Sequence, residues 1–379
     1  MNILMITSIK MPSTGGVNTY ISDLMDQLKK KGHLVKLVSY SDIADYYNSS
    51  DIQLYNSFYK ELFLKLIDKV PTPILEMEIK KYSMRLLLRR IDFKKFDVVH
   101  SQDGIASQAY VETGAKLPLV ATIHGCYTSE AIYGNPNAHS HQSLYQRYDQ
   151  FAVDAPLKVI TVSSFINQNL PKIDEKKLNI IHNGIDLEFF HPTYATGNKI
   201  KITTTGNFLR YKGHDILLRS LQLLKNKGYE YELYMYGKGF ELKDEYMKLV
   251  KENNLPVYFM DHVSRNELVK HLQNTEVYIQ PSRLENCPFS ILEAMACGCS
   301  VICSNVGGMP EMVRDGYNGL IFETEDAIGL SKHLENLLQY KDLRDRMRRN
   351  SRKLAEESFS IEQMVEKTIK VYSSIIKEI

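Results

Sequence analysis

Apolar residues along this chain recur in two alternating rhythms. Short, nearly unbroken runs of Val, Ile, Leu and Met read as strands buried on both faces. Between them lie longer segments with apolar residues every three or four positions, the spacing of one helical face. The first cycle is the clearest: Ile3 to Thr7 is a strand, Ser8 to Gly16 a loop, and Val17 to Lys31 a helix closed by Gly32. Val17, Tyr20, Ile21, Leu24, Met25 and Leu28 give that helix one apolar side. His33 to Tyr40 returns as a strand, followed by Phe96 to Ser101, Leu119 to His124 and Lys158 to Ser163. The rhythm lapses between the Asn183-Gly184-Ile185-Asp186 turn and Lys199. It resumes with strands near 200–205, 231–236, 257–260, 276–280, 300–304 and 319–322, and helices near 213–227, 240–253, 264–273, 288–297 and 325–340. This alternation predicts an α/β chain of two doubly wound domains, residues 1–186 and 187–359, with a C-terminal helix over 360–379 packing back on the first. Two such domains imply a cleft where the carboxyl ends of their strands face each other.

Composition narrows the class. A chain of 379 residues exceeds one typical core and suits two. Hydrophobic content of 44% and charged content of 24% are globular values that argue against disorder, and a net charge of +2 argues against a nucleic-acid binder. Met1 to Ile6 reads as a strand and not as a secretory leader, and no apolar run approaches the ~18 residues of a spanning helix. With an odd count of five cysteines, a cytoplasmic location with free thiols is expected. Cys297, Cys299 and Cys303 follow no zinc spacing, so no metal is expected there. One segment departs from the rest. Ile79 to Lys95 carries Lys80, Lys81, Arg85, Arg89, Arg90, Lys94 and Lys95 against the single acid Asp92, with apolar residues interleaved. That pattern suits either an anionic membrane surface or a solvated helix face.

Candidate chemistry concentrates in Pro281-Ser282-Arg283-Leu284-Glu285-Asn286-Cys287-Pro288-Phe289-Ser290-Ile291-Leu292-Glu293. Pro288 suits the first position of a helix, with Asn286 or Cys287 as cap, and the N–H groups of Phe289 and Ser290 would then favour an anion, phosphate above all. Glu285 lies in the approaching loop and Glu293 in the second turn, so carboxylates flank that anion site. Carboxylates beside an anion site are useful if they hold hydroxyl groups. A ligand with phosphate at its centre and polyols at its ends is a nucleotide-sugar. Gly206-Asn207 through Arg210, Lys212 and Gly213 leaves a strand and enters a helix, bringing two cations that can hold a diphosphate. Gly15-Gly16, between the first strand and helix, lets backbone amides approach a ligand closely. Its spacing is neither that of a dinucleotide-cofactor loop nor that of a nucleotide hydrolase. His124 ends a strand on the same expected edge.

In this order and spacing the motifs resemble the family-4 retaining glycosyltransferases. The resemblance runs from Gly15-Gly16 through Asn183-Gly184-Ile185-Asp186 and Lys212-Gly213 to the E-x7-E pair Glu285 and Glu293, and on to Asp315-Gly316-Tyr317-Asn318-Gly319-Leu320-Ile321. It implies the GT-B fold of two Rossmann-like domains and no required metal or other cofactor. By position, Glu293 would bind the donor ribose and Glu285 the transferred sugar, while His124 would lie beside that sugar. Lys212 and Arg210 would bind the diphosphate, with amides at Gly16 and around Pro288, Phe289 and Ser290, and the backbone near Val263 would meet the base. The chain departs from the family where Gly206 is followed by Asn207 in place of arginine, and Arg210 is expected to supply that guanidinium from a shifted position. The expected activity is transfer of a hexose-type sugar from a UDP-sugar or GDP-sugar to a lipid-linked or lipopolysaccharide glycan, with peripheral contact at the inner membrane face. A nucleotide-sugar epimerase of the same fold and a non-catalytic nucleotide- or sugar-binding protein remain as alternatives.

Overall fold

The computed structural model describes residues 1–43, 72–134, 136–194, 197, 199–225, 227–239 and 242–376. The chain forms two compact units, Met1–His182 together with Val365–Ile379, and Asn183–Met364.

The first unit is built from β1 (Asn2–Thr7), α1 (Gly16–Lys30), β2 (Leu34–Ser39), α2 (Thr72–Leu88), β3 (Val98–Ser101), α3 (Gly104–Val111), β4 (Leu119–Ile123), α4 (Tyr127–Gly134), α5 (Gln142–Asp154), β5 (Lys158–Thr161), α6 (Ser164–Asn169) and β6 (Leu178–Ile180). Its six strands lie in the order β2-β1-β3-β4-β5-β6, all parallel. Ile3, Leu4, Met5 and Ile6 are consecutive and fully buried, as a strand covered on both faces requires. The edge strand β6 is not apparent from the sequence. It has three residues, none of them buried, so neither a run nor an alternation marks it.

The second unit comprises β7 (Ile200–Thr205), α7 (His214–Leu224), β8 (Tyr231–Tyr236), α8 (Lys243–Glu252), β9 (Val257–Met260), α9 (Arg265–Gln273), β10 (Val277–Gln280), α10 (Phe289–Ala296), β11 (Ser300–Ser304), α11 (Met309–Met312), β12 (Gly319–Phe322), α12 (Ala327–Gln339) and α13 (Lys341–Ser358). The strand order is β12-β11-β10-β7-β8-β9, again parallel throughout. Ile202, Leu233, Val277, Ile279 and Ile302 from the strands pack with Leu217, Leu221, Leu330 and Leu334 from the helices in one core.

The unit boundaries fall at 182/183 and 364/365, a few residues from the positions read off the sequence. Backbone pairing accounts for the shift. Ile185 N–H donates to Phe359 (2.8 Å) and Ile361 N–H donates to Ile185 (3.0 Å), which draws the 183–186 turn into the second unit. A Cβ at Gly184 would lie 2.6 Å from the Ile361 backbone, so glycine is needed for that approach. The last helix, α14 (Ile361–Ile376), delivers Tyr372 to the first unit. There the Tyr372 hydroxyl meets His100 Nδ1 at 2.6 Å, and His100 Nε2 meets Thr122 Oγ1 at 2.8 Å.

Burial pushes both His100 and His214 down to about 3 from the ordinary 6.5. The unfolded chain therefore takes up protons in a window where the folded chain refuses them. Stability should fall as pH drops from about 6.5 toward about 3, by up to ~1.4 kcal/mol per pH unit for each histidine. Urea unfolding at about pH 7 and about pH 5 checks this, and a His100→Gln/His214→Gln variant should show a shallower dependence.

Candidate active site

Ligands of doubly wound sheets settle at the carboxyl ends of strands whose connections depart in opposite directions. In the second unit that point lies between β7 and β10, because β7 leads to β8 on one side and β10 to β11 on the other. Two loops leave there. The first passes Gly206 and Asn207 into a short 3-10 turn, Arg210–Lys212, and then Gly213, whose φ of +68° starts α7. A Cβ on Gly213 would come within 1.9 Å of the Pro281 carbonyl oxygen, so only glycine lets the first loop lie against the second. The second loop runs from Pro281 to Pro288.

Arg283 fastens the two together. Its backbone N–H donates to Tyr211 (2.7 Å), and its guanidinium donates to the Arg210 carbonyl (2.6 Å) and as a fork to Asp215 (2.8 Å to each oxygen). Glu325 takes the remaining edge. Those carboxylates hold the Arg283 pKa above even its usual high value.

The turn held in this way presents Lys212, whose Nζ lies 2.5 Å from Glu285 Oε1. Burial alone would push the ammonium pKa down, but the adjoining carboxylate reverses that, and the lysine stays protonated. Gln280 Nε2 (3.2 Å) and Ser282 Oγ (3.1 Å) donate to the same carboxylate oxygen. A ligand hydroxyl would therefore be met by Oε2. Helix α10 starts at Phe289, with Pro288 as its N-cap in extended conformation and no side-chain cap bond. The sequence reading placed Pro288 one position further in, behind Asn286 or Cys287. An extended cap suits proline's fixed φ, and it leaves the first-turn N–H groups without a side-chain acceptor, the state in which they favour an anion. Glu293 is half-buried in α10.

Arg210 is brought onto the same turn, but its side chain is exposed and makes no ion pair among the described residues. Asn207 is occupied structurally, its Oδ1 accepting the Lys238 N–H at 3.2 Å. Val263 lies half-buried between β9 and the Ser264 cap of α9.

The first unit has its own switch point between β1 and β3. Gly15, with φ +137°, caps α1 without a side chain, and Gly16 is its first residue. Asp103 braces this corner by accepting from Thr7 Oγ1 (3.0 Å), Ser8 N–H (2.7 Å) and Ala106 N–H (2.7 Å). His124 follows β4, edge-on to Tyr20 at 4.7 Å between ring centroids, with Nε2 3.2 Å from Gln102 Oε1. The residue is half-buried, and dense packing pushes its pKa down to about 3. The imidazole is therefore neutral at physiological pH and acts as a hydrogen-bonding group rather than a charge.

Comparison with known proteins gives the family and the fold. The model for Glycosyltransferase Family 4 matches residues 14–189, and that for Glycosyl transferases group 1 matches residues 188–354. The chain belongs to the family-4 glycosyltransferases. It is 26% identical over 388 residues to an uncharacterized glycosyltransferase of Methanocaldococcus jannaschii, covering 99% of each chain. It is 25% identical over 292 residues to the N,N'-diacetylbacillosaminyl-diphospho-undecaprenol alpha-1,3-N-acetylgalactosaminyltransferase of Campylobacter jejuni, 73% of this chain and 75% of that one. Anabaena HepE in complex with UDP-glucose has the same fold, with a TM-score of 0.72 at 16% identity over 99% of this chain and 100% of that one. The fold of this glycosyltransferase is GT-B.

The basic segment of the glycosyltransferase divides in two. Along α2, Lys81 pairs with Glu78 (2.6 Å), and Arg85 pairs with Glu112 (3.1 Å), while Met84, Leu87 and Leu88 enter the core. Beyond the helix, Arg89, Arg90, Lys94 and Lys95 are exposed; Lys80 is half-buried. The five cysteines are unpaired and buried, and burial raises their thiols, to about 12 for Cys126, Cys287 and Cys299. Among the described residues no cluster of His, Cys, Asp or Glu could hold a metal.

The sequence reading missed Arg283, Gln280, Ser282 and Gln102. The first and third stood inside the stretch singled out above, and a half-buried guanidinium beside two acids is a recognisable signal once the fold is known. Arg283→Ala should cost the second unit about 2 kcal/mol, because it removes the charged fork to Asp215 and the bond to the Arg210 carbonyl, leaving Arg219 and the Gly213 N–H on those acceptors. Arg283→Lys should recover less than half of that, since an ammonium cannot span both carboxylate oxygens. Chemical denaturation of the three proteins decides the order.

Proposed function

We propose that this glycosyltransferase moves a hexose-type sugar from a UDP-sugar, with a GDP-sugar as second choice, to a hydroxyl of a lipid-linked glycan, retaining anomeric configuration and needing no metal. The observation that carries the donor reading is the Lys212–Glu285 pair beside the uncapped start of α10. Lys212 and Arg210, with the helix N–H groups, would neutralise charge on the departing diphosphate, the task a metal performs elsewhere. Glu285 would hold sugar hydroxyls, and Glu293 the ribose. His124, neutral, would donate or accept a hydrogen bond beside the sugar.

The bond from the anomeric carbon to the diphosphate oxygen breaks, and the acceptor oxygen forms its bond on the same face. The acceptor proton passes to the departing phosphate oxygen, so no enzyme group becomes covalently attached. The Campylobacter relative, whose name carries an undecaprenol-linked acceptor, supports a lipid-linked acceptor here. HepE, crystallised with UDP-glucose, supports a UDP donor. A cavity of about 720 Å³ in the first unit, between α4, α5 and the end of α6, is lined by Thr128, Ser129, Gln142, Gln146 and Asn169. Asp149 also lines it, with its oxygens accepting the Tyr127 and Thr128 N–H groups, so a single carboxylate stands among neutral hydrogen-bonding groups suited to a glycan. No helix among the described residues is long and apolar enough to cross a membrane, and the exposed cations Arg89, Arg90, Lys94 and Lys95 support peripheral contact with anionic lipid.

Thermal-shift screening against UDP, GDP, ADP and their sugar conjugates should give the largest rise with a uridine ligand. With the donor so identified, Lys212→Ala should lower kcat by roughly a hundredfold or more while KM changes little, because charge on the phosphate grows in the transition state. Vesicles containing anionic lipid should retain the protein at low salt and release it at high salt, and replacing Arg89, Arg90, Lys94 and Lys95 with glutamine should abolish retention.

A further inference from the structure

The Glu285 carboxylate is the outer end of a buried chain of polar groups that runs back into the sheet. The Thr205 and Tyr278 hydroxyls lie 2.7 Å apart, and Tyr278 donates to Gln280 Oε1 at 2.8 Å. Ser290, in the first turn of α10, donates to the same oxygen at 3.0 Å. On its other side, Gln280 Nε2 donates to Ser282 Oγ (2.8 Å) and to Glu285 Oε1 (3.2 Å). Gln280 is 1% exposed, and its carboxamide accepts two bonds and donates two. Turning the amide over would aim its oxygen at the carboxylate, so Glu285 fixes which way it points. Along β10 the apolar Val277 and Ile279 fill one buried face, while Tyr278 and Gln280 share the other, which is where the polar chain runs.

We propose that Gln280 is a positioning residue for sugar transfer. It fixes the orientation of Glu285 and ties that orientation to the start of α10. Glu285 then meets the sugar, and Lys212 the diphosphate, without rearrangement. This rests on reading Glu285 as the residue that holds the transferred sugar. A carboxylate held by Lys212 alone could swing about a single long side chain. Bonds from Gln280 and Ser282 leave it one arrangement, which is the preorganisation that favours the transition state over the bound substrate.

The test uses the full chain with its UDP-sugar donor, in Gln280→Met and in the isosteric Gln280→Glu, with UDP affinity measured by calorimetry and kcat by turnover. UDP affinity should stay within about twofold of wild type, while kcat falls about tenfold or more. In Gln280→Glu two carboxyl groups face each other and can share a proton as pH falls. Its activity relative to wild type should therefore recover toward acid pH, whereas a merely structural role would lower activity evenly across pH. In a Glu285→Ala background, Gln280→Met should add little further loss, because the group it acts through is gone. Full multiplication of the two losses, or a Gln280→Glu profile parallel to wild type, would overturn the proposal. Should Gln280→Met not fold, the pH profile of Gln280→Glu decides. A wild-type protein that binds no nucleoside diphosphate would instead remove the donor reading and this inference with it, a result separate from any behaviour of the variants.

Discussion

A parallel sheet whose strands send their connections to opposite faces has one place where no helix covers the strand ends. Both units of this glycosyltransferase meet that constraint, between β1 and β3 and between β7 and β10, and both place their glycine-bearing loops and helix starts there. Main-chain N–H groups at such a point have no partner within the sheet or helix, so the site favours an anion before any side chain is considered. The side chains then specify which anion. In the second unit they are a lysine, which suits phosphate, and a pair of glutamates, which suit hydroxyl groups.

The same loops separate two kinds of ion pair that composition cannot distinguish. Arg283 is matched by Asp215 and Glu325 in a closed arrangement that fixes backbone, and adding a ligand there would break more than it made. Lys212 and Glu285 are matched to each other at the sheet edge, where each also suits a different part of a nucleotide-sugar. Burial there pushes the lysine pKa down, and the carboxylate beside it more than offsets this. The pair thus keeps the cation available at physiological pH while the site is empty.

Much of the fold could be read from the sequence because parallel strands buried on both faces announce themselves as nearly continuous apolar runs, as β1 and β11 do. The site was legible where its residues sit close together in the chain: Glu285, Pro288 and Glu293 within one stretch, Arg210 and Lys212 within another. It was not legible where partners are distant. Arg283 bonds a turn some seventy positions earlier; Gln280 has near partners in Tyr278 and Glu285, yet nothing in the sequence shows that its carboxamide joins them. The basic segment was only partly legible for the same reason. Its local acid count omitted Glu112, which reaches Arg85 only through folding. Asn207, expected to serve the donor, is held by a backbone amide on the following strand's loop.

Val365, Tyr372 and Ile375 are fully buried, and they belong to the Val365–Ile379 segment that completes a unit otherwise made of Met1–His182. During synthesis the amino-terminal half therefore leaves the ribosome long before the segment that fills its last hydrophobic gap and satisfies His100. Domains made early generally fold early, but this one cannot complete its core until the residues after 364 have followed those of the second unit. The second unit, contiguous in the chain, can close first, so the order of folding runs against the order of manufacture.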